Sequence, residues 1–199
     1  MSKTIDYYLS PVSPWTYLGH QRFTDLAAAY GAAVVAKPVD YGPVFKVSGG
    51  LPLKQRPLQR QAYRMMELKR WRACLDLPLT LEPRYFPTNA NPAALLITAA
   101  LPLGTADTMR LAGALMRACW AEDKDISDPG TLQEIADGQG LAGAELLASS
   151  RGPQALATYE KFTGEAIEAQ VFGAPTYVYR GELFWGQDRL DLLERALKA

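Results

Sequence analysis

Four short stretches carry side chains able to do chemistry. The first is Ser13-Pro14-Trp15-Thr16. Serine before proline marks a helix start, because a proline at the first helical position lacks only an N–H that has no partner there. Ser13 then has two readings. It is a cap whose oxygen accepts a backbone N–H, or it is a hydroxyl facing a ligand. In the second reading it adds one donor to the free N–H groups and positive dipole end that a helix start offers an anion.

The second stretch is Val171-Phe172-Gly173-Ala174-Pro175-Thr176. Pro175 is either an ordinary turn proline or a cis proline that turns the backbone of Ala174 towards a ligand. The third is Trp185-Gly186-Gln187-Asp188-Arg189-Leu190-Asp191. Asp188 reads as a helix N-cap with Asp191 in the first turn, or as a carboxylate beside a ligand that carries an ammonium group. The fourth runs from Lys54 to Arg72, with seven basic residues and one acid, Glu67. Arg56, Arg60 and Arg64 are spaced i, i+4, i+8, so they share one helix face if the helix starts early enough. That face is either solvated or gathers carboxylates through bidentate contacts.

The composition narrows the chemistry. The chain has 199 residues, 48% of them hydrophobic, with Lys+Arg 21 and Asp+Glu 21. A zero net charge with no recognition motif argues against nucleic acid as a partner. His20 is the one histidine, so a Ser-His-Asp triad or a histidine metal site is not expected, and no metal is assigned. His20 lies one turn into the first helix, where it is open to solvent, and is given no role. Cys74 and Cys119 stand far apart, form no C-x-x-C, and read as buried, inert thiols. The start, Met1 to Tyr7, holds no apolar core of signal-peptide length, and Asp6 interrupts it. The apolar runs at 26–36 and 93–103 are too short to span a bilayer. A cytoplasmic protein with no membrane partner is the expectation.

The elements that must position these stretches follow from periodicity. Thr4–Leu9 alternates and is rich in aromatic residues, so it reads as a strand. Ser10–Pro14 makes a turn, and a helix over Pro14–Tyr30 ends at Gly31. Ala33–Val39 is a second strand, parallel to the first through that helix. Residues 42–53, with Pro43, Gly49, Gly50 and Pro52, read as a loop. From Arg56 to Ala169 the periodicity is helical throughout, with helices predicted at Leu58–Asp76, Pro92–Leu101, Ala106–Asp123, Pro129–Gly138, Gly143–Ser149 and Pro153–Gln170. Thr176–Tyr179 and Leu183–Trp185 are strands around a tight turn at Arg180–Glu182, and Asp188–Leu197 is an amphipathic helix.

That order, βαβ then helices then ββα, with a proline before the third strand, resembles the DsbA-like proteins. It implies an α/β thioredoxin-like fold with a large all-helical insertion. Residues 1–53 and 171–199 would form the thioredoxin-like domain, and 54–170 the inserted helical domain. Where that fold has C-x-x-C, this chain has Ser13-Pro14-Trp15-Thr16, so it holds no thiol for disulfide exchange at this position. The chain is similar, more specifically, to the 2-hydroxychromene-2-carboxylate isomerases and the kappa-class glutathione transferases. The similarity lies in Ser13–Gly19, Tyr63 with Glu67–Trp71, Val171–Thr176 and Glu182–Leu190.

The resemblance implies glutathione as cofactor, a small aromatic carboxylate as substrate and a homodimer. It implies that Ser13 hydrogen-bonds the glutathione sulfur and that Pro175 is cis, leaving the Ala174 backbone to pair with the cysteinyl part. Gln187 and Asp188 would hold the γ-glutamyl end, and Arg60 a carboxylate. Trp15 joins the cofactor site, and Trp15 and Trp185 either flank an aromatic substrate or pack in the core. The loop position near Leu51 departs from the kappa pattern, which carries asparagine there. Two other activities fit the same features: a kappa-type transferase or peroxidase, and a thioredoxin-fold binding module without redox function.

Overall fold

The computed structural model describes residues 3–199; Met1 and Ser2, where the leader reading begins, lie outside the described residues. Strand β1 (Thr4–Leu9) is followed by helix α1 (Pro14–Ala29) and strand β2 (Ala33–Pro38). Strands β3 (Thr176–Tyr179) and β4 (Glu182–Trp185) come 138 residues after β2 ends. The sheet order is β2-β1-β3-β4, with β1 parallel to β2 and antiparallel to β3. The β3–β4 turn has two residues, Arg180 and Gly181, both at positive φ (51° and 82°), which matches the twist of a hairpin.

Side-chain alternation along β1 sends Ile5, Tyr7 and Leu9 to one face and Asp6 and Tyr8 to the other. The first face joins a core of Leu18, Phe23, Leu96, Ile97, Leu111, Leu115 and Trp120, so sheet and helices share one apolar cluster. Tyr7 lies opposite Tyr177 in the register, and their rings stack at 5.4 Å with Phe23 against both. The second face packs Tyr8 with Val39, Val44, Ala166 and Val171. There Lys37 reaches Asp6 at 2.9 Å and Glu165 at 2.8 Å, pinning β2 to the long helix that precedes β3.

Between β2 and β3 the described chain is helical: α2 (Tyr41–Ser48), α3 (Leu58–Leu75), α4 (Asn91–Ala99), α5 (Thr105–Trp120), α6 (Pro129–Gly138), α7 (Gly143–Ser150) and α8 (Pro153–Glu168). Helix α9 (Leu190–Lys198) closes the chain and buries Leu190, Leu193 and Leu197. Among the described residues no helix is long and apolar enough to cross a membrane.

The structure corrects several expectations. Residues 42–53 are not a loop throughout, since α2 occupies most of that stretch. Asp40 caps it by accepting the Gly42 N–H at 2.8 Å, and Gly49 at φ 73° ends it. Pro43 is harmless there because it sits in the first turn, where its missing N–H has no helical partner. The Leu58 helix begins too late for Arg56 to share a face with Arg60 and Arg64. Pro57 caps it, and the residue before a proline is driven extended: Arg56 has ψ 149°. His20 is buried, not open to solvent, and Cys74 is exposed, not buried. Cys119 is buried as expected.

Candidate active site

The start of α1 and the loop before β3 meet. Ser13 is extended (ψ 120°), the geometry of a capping residue, and its Oγ accepts the Thr16 N–H at 3.2 Å. The same hydroxyl donates to the Ala174 carbonyl at 3.3 Å. The cap reading of Ser13 is the one seen here, and the hydroxyl proton points at the loop. An O–H···O bond of that length is well beyond the usual 2.7–2.8 Å and correspondingly weak.

Counting the N–H groups of the first turn locates what remains for a ligand. The Ser13 N–H reaches Ser10 O at 3.1 Å, Pro14 has none, Thr16 is capped, and Tyr17 bonds Ser13 O. Among the described residues, that leaves the Trp15 N–H as the unpaired backbone donor of this turn. The Trp15 side chain is half-buried against the core. Thr16 is fully buried, and its hydroxyl has no partner.

The Ala174–Pro175 peptide bond is cis. Three bonds hold the loop around it. Tyr41 OH donates to Gly173 O at 3.1 Å, Thr176 Oγ1 donates to the same carbonyl at 2.7 Å, and Gly186 N–H donates to Pro175 O at 2.9 Å. Trp185 lies across Gly173 so closely that a Cβ there would stand 2.5 Å from its Nε1. The Trp185 ring is half exposed and packs on Phe172 at 4.6 Å, so it is not a core residue. Tyr41 and Phe172 were not foreseen. Tyr41 lies on the helix that glycine and proline disguised, and nothing local marks an exposed phenylalanine as a partner.

Gln187 and Asp188 sit in a short 3-10 turn over Gln187–Arg189 that begins after Gly186. Asp188 is therefore not the N-cap of the last helix. Its carboxylate folds back over Gly186, whose φ of 108° suits glycine, and pairs with Arg189 at 2.6 Å. Gln187 is buried, and its Oε1 accepts a bond from Arg22 Nη1 at 2.9 Å. Arg22, unforeseen, ties this turn to α1; its position two turns beyond Trp15 gave no local signal. Arg60 is exposed in the first turn of α3, and Leu51 O accepts the Arg56 Nε–H at 2.8 Å.

Behind the site, His20 joins three elements. Its Nε2 lies 2.9 Å from the Met109 carbonyl, which can only accept, so Nε2 carries the proton. Nδ1 then accepts from Tyr7 OH at 3.2 Å. Burial pulls the imidazole pKa down to about 4, so the ring is neutral.

A family model of the DSBA-like thioredoxin domain matches residues 4–198. The chain belongs to this family. Within it, the chain is 31% identical over 199 residues to the 2-hydroxychromene-2-carboxylate isomerase of Sphingobium xenophagum, covering 99% of each. The 2-hydroxychromene-2-carboxylate isomerase of Pseudomonas putida is 30% identical over 197 residues, with 97% of this chain and 93% of that one covered. A solved structure of 2-hydroxychromene-2-carboxylate isomerase superposes with a TM-score of 0.83 at 27% identity, over 98% of this chain and 94% of that one. A probable DsbA oxidoreductase from Streptomyces coelicolor shares the fold (TM-score 0.77, 20% identity, 98% of this chain and 88% of that one). The DsbA-like fold of this family accounts for the mixed four-stranded sheet and the helices packed on it.

Proposed function

We propose that this protein is a glutathione-dependent isomerase that converts 2-hydroxychromene-2-carboxylate to trans-o-hydroxybenzylidenepyruvate. One observation carries the reading: a chain matched end to end by isomerases of that name begins its first helix with a serine hydroxyl aimed at Ala174, beside cis-Pro175.

The residues present fit a thiol cofactor. Ser13 contributes a proton now resting on a long bond, Trp15 a free backbone N–H, and α1 the positive end of its dipole. The Ala174 backbone borders the same space and pairs with the cysteinyl part, with Arg60 at a carboxylate. Asp188 faces the γ-glutamyl end; its pairing with Arg189 is exposed, so an ammonium group competes with it at little cost. Gln187 contributes by holding the turn that carries Asp188, since its amide oxygen is engaged by Arg22.

Glutathione, when bound, supplies a thiolate for reversible addition to the substrate, which opens the ring and frees a bond to rotate. Ser13 favours that thiolate. A thiol with a pKa of about 8.5 is mostly protonated at neutral pH, and a hundredfold change in its acidity requires about 2.7 kcal/mol. The helix dipole contributes about 0.3–1 kcal/mol, up to about 2 in good geometry. A hydrogen bond to a charged acceptor adds about 1.5–3 kcal/mol. The dipole alone falls short, whereas dipole plus hydroxyl gives about 1.8–5 kcal/mol, a range that includes the required value. Ser13 is not the nucleophile, because the one histidine is buried, neutral and committed to Tyr7 and Met109, leaving no base for its hydroxyl.

The test is an isomerase assay of wild type, Ser13→Ala and Ser13→Cys, with and without glutathione. Turnover is expected only with glutathione, and Ser13→Ala is expected to lose about ten- to a hundredfold in kcat/KM, the loss of one charge-assisted hydrogen bond. Glutathione-independent turnover by the wild type overturns the mechanism.

A further inference from the structure

The arginines of this chain divide by what their N–H groups meet. Arg70, Arg110, Arg117 and Arg189 each pair with a carboxylate, Arg22 with Gln187, and Arg72 with the Leu79 carbonyl. Arg64 is different. It is half-buried, yet among the described residues its one polar contact is the Met65 sulfur at 3.8 Å. Its guanidinium lies over two aromatic rings, Phe86 at 5.6 Å and Trp120 at 5.9 Å. Those contacts satisfy the face of the group and leave its edge, where the N–H donors point, without an oxygen.

The surroundings raise the electrostatic cost of this arrangement. Burial, with the second positive charge of Arg56 adding to it, brings the Arg64 pKa down to about 10. The Trp120 N–H is buried and has no acceptor, so a second donor in the same cluster is unmatched. Withdrawing a cation from water beside like charge, with no counter-ion, is unfavourable unless an anion arrives with a ligand.

The position suits that ligand. Tyr17, in the first turns of α1, donates to Pro78 O at 2.7 Å, Thr80 N–H donates to Trp120 O at 2.6 Å, and the Trp120 ring carries Arg64. Helix α3, which carries Arg64, also packs against α1, whose start carries Ser13. The partly exposed Phe86 ring beside the guanidinium also sets π surface next to the charge, which suits a carboxylate conjugated to an aromatic ring.

We propose that Arg64 is the specificity-determining residue that holds the carboxylate of the aromatic substrate. The identity of that substrate rests on the isomerase reading above; the anion site itself does not. The experiment compares trans-cinnamate with its neutral isostere cinnamamide, by calorimetric titration in saturating glutathione, in wild type and Arg64→Met. Wild type is expected to bind cinnamate at least about tenfold more tightly than the amide, and Arg64→Met to erase that preference while leaving amide and glutathione affinity unchanged. In the isomerase assay the same variant raises KM for the chromene carboxylate with kcat little changed, the pattern of a contact made equally in ground and transition states.

Equal affinity for the two probes in wild type, or a preference that survives in Arg64→Met, overturns the proposal. Arg64→Gln serves in the same comparison if the methionine variant fails to fold. A wild type that discriminates the probes through Arg64 but does not isomerise the chromene carboxylate supports the anion site and sinks the isomerase reading, so the two failures are told apart.

Discussion

Ser13 has one proton to give, and in the structure it gives it to the Ala174 carbonyl across 3.3 Å. Redirecting that proton to an incoming anion breaks a weak bond, while the oxygen goes on capping Thr16. Cap and donor roles therefore use different parts of one hydroxyl. The absence of a thiol at this position gives the two cysteines no part in the site. Burial pushes the Cys119 thiol up to about 12, with Asp125 and Asp123 adding to it, whereas Cys74 is exposed. A maleimide reagent is therefore expected to label Cys74 in the folded protein and to spare Cys119 until denaturant is added, with peptide mass mapping as the readout. Isomerase activity after that labelling is expected to stay within about twofold, because Cys74 stands near the far end of α3, about 15 Å of helix beyond Arg64.

At the scale of the element, α1 works as a ruler between the site and the 3-10 turn at Gln187. Gly19 sets the spacing. A Cβ there would stand 2.8 Å from the Gln187 Cβ and 3.0 Å from Tyr177 OH. Alanine is the better helix former by about 1 kcal/mol, yet Gly19→Ala is expected to destabilise the protein by about 1–3 kcal/mol, because Gln187 is fixed by Arg22 and cannot move freely. Urea unfolding measures the loss, and the affinity for glutathione is expected to fall with it as Asp188 shifts. Stability at or above that of wild type would show that the turn gives way. The same scale explains the misread segment at 41–48. Its glycine and proline are breakers in a helix interior but are tolerated in a first turn, and the deciding signals were the flanking residues Asp40 and Gly49.

Across the whole molecule, His20 fastens the sheet through Tyr7 to α1 and α5. Its pKa of about 4 in the fold, against about 6.5 for a free imidazole, fixes the sign of its pH effect. Above about 6.5 the ring is neutral in both states and contributes no pH dependence. As the pH falls from there towards 4, the unfolded chain binds the proton and the folded chain does not, so stability declines, by about 3 kcal/mol from this group. Urea titrations at pH 7 and 4.5 are expected to show this slope in wild type and a shallower one in His20→Gln; parallel slopes would remove His20 from the account.

Apart from α2, the sequence by itself determined which segments are strands and helices, because alternation, capping residues and prolines at helix starts act within a few residues of where they stand. It also marked Ser13, Pro175 and the basic run as the places to look. Only the tertiary structure decided what those residues face. Ser13 meets Ala174 across 161 positions, Arg22 takes the amide expected for a ligand, His20 turns inward, and Arg64 is left over an aromatic floor with no anion of its own. The physical reason is range. A cap or a strand is settled by neighbouring residues, whereas a donor's acceptor is settled by whichever element packing brings against it, and spacing along the chain carries no record of that.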